Sequence, residues 1–193
     1  MVLLDEALME FDLGLPADSS TTLGRIRKPD LDSSDFVILH AKLGEPSDAE
    51  RFLVKHRNET QDVFMAHVYV PLVRATLAVE HRKPLDAIAA LEDAAPYDLV
   101  DYNAMTLRGE AYLHANRPEM AAVEYQKILA HRGLAPVSHL YPLAYLGLAR
   151  AYALQNRRAE SRGEYEKFFA FWKDAEPDVP VLKQARLECA RLQ

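Results

Sequence analysis

From about Ser33 onward, apolar residues recur at three- and four-residue spacing, the period of one helix face, and no stretch alternates as a strand would. The pattern predicts an all-α chain. Prolines fall between or at the starts of the periodic stretches, as at Pro46, Pro84, Pro96, Pro118, Pro136, Pro177 and Pro180. In a first helical turn proline gives up only an amide that had no partner, so these positions mark starts. Reading between them gives helix pairs at about 33–57, 62–95, 102–132 and 139–174, and a single helix at about 179–192.

The second half repeats itself. A segment beginning at Met105 recurs forty residues later, matching Tyr112 to Tyr152, Asn116 to Asn156, Glu124 to Glu164, Tyr125 to Tyr165 and Lys127 to Lys167. Five matches in one register argue for a duplicated two-helix unit. In its second helix a small residue is followed four positions later by a large one, as in Ala121 with Tyr125 and Ser161 with Tyr165. The same pair recurs upstream as Ala87 with Leu91 and, more faintly, Ala49 with Leu53. Ala87 and Ala121 lie 34 residues apart, so the longer step reflects extra residues in the loop around His131 to Pro136.

Two antiparallel helices approach closely only where a side chain is tiny, while a large one fills the space beside it. Gly109 and Ala149 are expected to supply the small site on the first helices, and Tyr112 and Tyr152 the filler. The last helix places Leu182, Ala185, Cys189 and Leu192 on one face, with Lys183, Arg186, Glu188 and Arg191 over much of the rest. That is the polar-backed cap an open-ended helical array needs, with Asp178 the expected N-cap residue. Residues 1–32 read differently. Leu4, Ala7, Leu8 and Phe11 could line a short helix, but Gly14, Pro16 and the polar run Asp18 to Thr22 interrupt it, and an extra helix or loosely attached arm is expected.

Met105, Arg108, Gly109, Tyr112, Ala121 and Tyr125 resemble the tetratricopeptide signature, with Arg108 and Arg74 where leucine is usual and Gly133 where proline is usual. The resemblance implies a TPR-like α-α superhelix of three to four helix pairs over residues 33–193 with a C-terminal capping helix. The strings DAIAALEDAAPYDL, MTLRGEAYL, VEYQKILAHRG, YPLAYLGLARAYAL and EYEKFFAFWKDAEPDVPVLKQA further resemble the repeat region at the C-terminus of certain bacterial eukaryotic-like serine/threonine kinases. Related regions are attached to winged-helix regulators. The kinase activity does not carry over, because the chain has no glycine-rich phosphate loop, no H-R-D loop and no D-F-G triplet.

Composition narrows the partners. A net charge of -6 repels phosphate backbones and anionic lipid, which disfavours nucleic acid as a partner. No run reaches the ~18 apolar residues of a membrane span, and Asp5 and Glu6 interrupt the place of a signal sequence, so no membrane insertion and a cytoplasmic location are expected. An extracytoplasmic location would follow if a membrane-anchored kinase preceded the repeats. With one cysteine, Cys189, neither a disulfide nor a thiolate zinc site can form within the chain.

No other chemistry stands out. No two of the seven histidines have the i, i+4 spacing of a helical metal site, the carboxylates read as caps and solvated faces, and no G-x-S-x-G elbow occurs. No catalytic residue, metal or cofactor is expected. What remains is a groove lined by the first helix of each pair. Its candidate lining is Tyr69, Leu72 and Thr76, then Asn103, Thr106 and Glu110, then Leu143, Leu146 and Arg150. The plain alternative for each is packing or simple exposure. Only Arg150 and Asn103 resemble a clamp for a peptide carboxylate, and Glu110 opposes it, so an apolar or mixed protein segment is the expected ligand. Self-association, or a role regulating an attached kinase or regulator domain, is the alternative.

Overall fold

A computed structural model describes residues 2–192. Among them the regular structure is helical throughout: α1 (Val2–Asp12), α2 (Pro16–Leu23), α3 (Ser34–Lys42), α4 (Ser47–Lys55), α5 (Val70–Glu80), α6 (Pro84–Ala90), α7 (Asn103–His114), α8 (Pro118–Ala130), α9 (Leu140–Leu154), α10 (Arg158–Phe171) and α11 (Pro180–Ala190). The chain divides into two compact units, Met1–Tyr97 and Asp98–Gln193.

One hairpin recurs in both units. Gly14, Gly44, Arg82, Asn116 and Asn156 have positive φ, between 55 and 89°. Each follows the first helix of a pair. In each turn that residue's N–H bonds the carbonyl three residues back and the next N–H bonds the carbonyl five back, as in Asn116 to Leu113 and Arg117 to Tyr112, all at 2.8–3.0 Å. This pair of hydrogen bonds caps the orphan carbonyls of the first helix and reverses the chain in a short length. Pro16, Pro46, Pro84 and Pro118 follow two residues later and start or precede the second helix; Arg158 takes that place in the fifth turn.

The packing repeats with the turn. Seven residues before each left-handed residue stands a buried residue on the first helix, and twelve residues further on a second buried one on the second helix: Ala7 and Ser19, Val37 and Ala49, Ala75 and Ala87, Gly109 and Ala121, and Ala149 and Ser161. Small or branched, these side chains let the two backbones meet. In the first and fifth hairpins the serine hydroxyl donates to the facing alanine carbonyl, Ser19 to Ala7 and Ser161 to Ala149, both at 2.7 Å. The first 32 residues therefore contain a hairpin built like the other four, not an arm.

In the first unit α3 packs against α1 and α5 as well as its own partner α4. Val37, Leu39, Phe36, Phe52 and Val73 form its core, with Leu4, Leu8 and Phe11 of α1 against it. A π turn at Met65–Tyr69 leads into α5, where the Val70 N–H reaches back to the Met65 carbonyl. Pro71 explains it: its ring would clash with the carbonyl a normal ladder puts there, and the ladder widens.

In the second unit α9 lies against both α7 and α8. Tyr102, Met105, Ala121, Tyr125 and Ile128 fill one core, and Leu146, Ala149, Tyr165, Phe168, Leu182 and Ala185 a second one beneath α11. The connection between α8 and α9 is shorter than that between α6 and α7, so the surplus of the longer repeat lies in α8 and not in the loop as expected. Tyr102 ties this connection down, its hydroxyl donating to the His131 carbonyl at 2.9 Å. α11 turns Leu182, Ala185, Cys189 and Leu192 inward as the sequence pattern requires. Its cap is different from the expected one: Val179, not Asp178, holds the N-cap position, with no side-chain cap bond.

Candidate interaction surface

In the second unit, the surface of interest is built by α7, α9 and α11. Tyr125 of α8 sets the spacing of α7 and α9. A β-carbon on Gly109 would stand 2.8 Å from Tyr125 Cζ, and one on Gly147 only 2.3 Å, so the ring fits because both helices lack a side chain there. Gly109 thus acts as the close-approach site the sequence suggests, but the ring it admits is Tyr125. The opposing glycine is Gly147. Tyr112 is only half-buried, while Tyr152 is buried and accepts a bond from Gln126 Nε2 at 2.9 Å. Burial drives the Tyr125 hydroxyl well above its ordinary pKa; Glu110 adds to this and Arg150 opposes it.

Arg150 is engaged by α11. Its Nε donates to Glu188 Oε2 at 2.9 Å and its second guanidinium nitrogen to Oε1 at 3.2 Å. Tyr165 donates its hydroxyl to the same carboxylate at 2.9 Å, and Gln184 donates its amide at 3.0 Å. Burial works against a charged Glu188, but the two bonds from Arg150 outweigh it and the carboxyl lies below its ordinary value. Burial and the Glu188 charge together push Tyr165 up. The cation that resembles a carboxylate clamp is therefore spent on holding the last helix.

The other candidates separate into two kinds. Asn103, Thr106 and Glu110, at i, i+3 and i+7, form one half-buried stripe along α7. Among the described residues Thr106 Oγ1 has no hydrogen-bond partner although it is shielded. Leu143 packs at the edge of the core under α11, and Leu146 belongs inside it at 2% exposure. In the first unit Tyr69 borders the core, while Leu72 and Thr76 are each 2% exposed, the threonine hydroxyl donating to the Leu72 carbonyl at 3.0 Å. Leu72, Thr76 and Leu146 are thus enclosed rather than lining an open face, Leu146 because α11 packs over it.

Behind the surface, Arg108 bridges two carboxylates. Its NH2 nitrogen donates to Asp98 at 2.6 and 2.7 Å and to Glu124 at 2.8 Å, while Lys127 donates to the same two at 3.1 and 3.0 Å. Burial disfavours the Arg108 charge, but Glu124 and Asp98 more than restore it. Two cations facing two anions make a closed set that fixes α7 against α8. This explains an arginine where the resembling repeats carry leucine.

Gln184 and Gly147 were absent from the sequence expectation, and Glu188, expected on the polar outer side of the last helix, instead faces Arg150 of α9. Gly147 had a signal, since a glycine inside a strongly apolar helix asks for a packing reason. No cluster of three or more His, Cys, Asp and Glu side chains suited to a metal occurs among the described residues, and none of their helices is long and apolar enough to cross a membrane. Compared with protein-family models, curated proteins and solved structures, the chain finds no match.

Proposed function

We propose that the chain is a non-catalytic interaction module of tetratricopeptide type, binding a segment of another protein along the first helices of its hairpins. The observation that carries this reading is the fivefold recurrence of one hairpin, with the same buried pair and the same left-handed turn. Such recurrence repeats the same first-helix face within each unit, and the helical repeat proteins it resembles use those faces for binding. In the second unit the accessible part of the face is the α7 stripe of Asn103, Thr106 and Glu110. A shielded threonine hydroxyl beside an amide and a carboxylate suits a partner segment that offers donors as well as apolar side chains.

Site-specific photo-crosslinking tests this. With a benzophenone side chain in place of Thr106, a defined partner should be captured in native extract, and the same probe at Glu119, on the exposed side of α8, should not capture it. Equal capture at both positions would remove the α7 stripe from consideration.

A further inference from the structure

Within the first unit, the first two hairpins do not close on each other along their facing helices as the hairpins of the second unit do. α8 packs along α9 there, whereas the corresponding pair, α2 and α3, hardly meets. Between them lies a cavity of about 570 Å³. It falls within the size range of sites for small organic ligands, roughly 300–1,000 Å³.

The lining is apolar with a polar end. Leu23 of α2, Ile26 of the following turn, Phe36 of α3 and Leu43 just after it supply the apolar wall, while His40 of α3 and Glu45 of the next turn line its polar end. Leu23 and Phe36 are 8% and 4% exposed, so this wall is held by the core behind it. The outer strap, residues 24–33, is fixed at both ends. The Ile26 N–H bonds the Leu23 carbonyl at 3.0 Å, and Asp32 is paired with Lys55 of α4. The cavity is thus a preformed feature of the unit.

Charge decides what fits. Glu45, 74% exposed at its side chain, is the carboxylate of the lining, while Asp48, 3.0 Å from His40 Nδ1, is already paired with Arg51. No lysine or arginine lines the cavity. The first unit as a whole carries 17 acidic against 10 basic side chains, the second 12 against 13, so the chain's negative charge belongs to the unit that holds the cavity. Arg25, Arg27 and Lys28 stand on the strap but are not part of the lining, so the charge met inside is that of Glu45, which an ammonium can pair with and a carboxylate, phosphate or sulfonate cannot.

From this we infer that the cavity between α2 and α3 is a binding site for a small organic cation with an apolar body, its ring or chain against Leu23, Ile26, Phe36 and Leu43 and its ammonium beside Glu45. The site lies apart from the α7 stripe, and neither reading depends on the other.

Two probes with one body and opposite charge test it on the full chain: 4-phenylbutylamine and 4-phenylbutyrate, titrated while the methyl resonances of Leu23, Ile26 and Leu43 are followed by NMR. The amine should shift these methyls saturably and the acid should not. Glu45→Gln should weaken the amine about fivefold, the effect of a partly exposed ion pair. Ser20→Trp, which fills the cavity from an exposed position of α2, should abolish the shifts with the helical circular dichroism unchanged. Equal response to both probes, an E45Q variant that binds the amine as well as the parent, or amine shifts that survive S20W would each overturn the assignment.

Discussion

The ring of Tyr125 occupies the place of a side chain on Gly147: a β-carbon there would lie 2.3 Å from Cζ. The ring is held on its other side by Gly109 and is 3% exposed, so it has nowhere to turn. Helix propensity alone would favour alanine over glycine at position 147 by about 1 kcal/mol. Overpacking costs about 1–3 kcal/mol and prevails. Gly147→Ala is therefore expected to lower the urea midpoint, Gly109→Ala to lower it less, and Tyr125→Leu to recover part of the G147A loss. A G147A protein as stable as the parent would show that α7 and α9 are not set apart by this ring.

The five turns differ in how well their residue suits a left-handed backbone. Glycine is free there and asparagine tolerates it, but Arg82 at φ 58° carries a strain of about 1 kcal/mol. Arg82→Gly should raise the melting temperature, and Asn116→Gly and Asn156→Gly should change it less. The order of the three shifts in differential scanning calorimetry checks the assignment.

Glu188 makes stability depend on pH. Its folded carboxyl titrates below the ordinary 4.5, so near that value the unfolded chain binds more protons. The contribution is complete above the ordinary value and is lost as pH falls through the folded one. Unfolding free energy should drop on acidification from about pH 6 to about pH 3, and Glu188→Gln should flatten that slope. Parallel slopes in parent and variant would show that the α11 contact carries no charge dependence.

Removing Arg108 leaves Asp98 and Glu124 side by side, with Lys127 still bonding both. Arg108→Leu should cost about 3–5 kcal/mol in denaturant unfolding, and adding Glu124→Gln should return part of it, as the desolvated carboxylate is then neutral. An R108L variant of unchanged stability would mean that the four charges are solvated and incidental.

The helix pairs from 33 onward were legible because periodicity and proline placement coincide, and their observed limits fall inside the expected ranges. The first hairpin was obscured by its composition. Ser19, Ser20, Thr21 and Thr22 read as loop, yet Ser19 is a small buried contact whose hydroxyl finds the Ala7 carbonyl. Polar character and small size make opposite suggestions there, and size wins because the hydroxyl is satisfied. On the candidate surface, a stripe position on α7 or α9 followed from the register, but whether another element roofs it did not. Leu146 and Arg150 meet α11, and nothing local to α9 announces Glu188, which is 38 residues away.

The five turns fix distances within a hairpin and leave those between hairpins open. Seven residues separate the buried residue on each first helix from its left-handed turn, without exception, while the connection between hairpins varies from residues 56–69 to residues 131–139. Deleting one residue inside α8 would rotate everything beyond it by about 100° and uncouple Tyr125 from its glycines. Lengthening residues 131–139 would leave every helix in register, which makes that joint the place where this chain can take up foreign sequence.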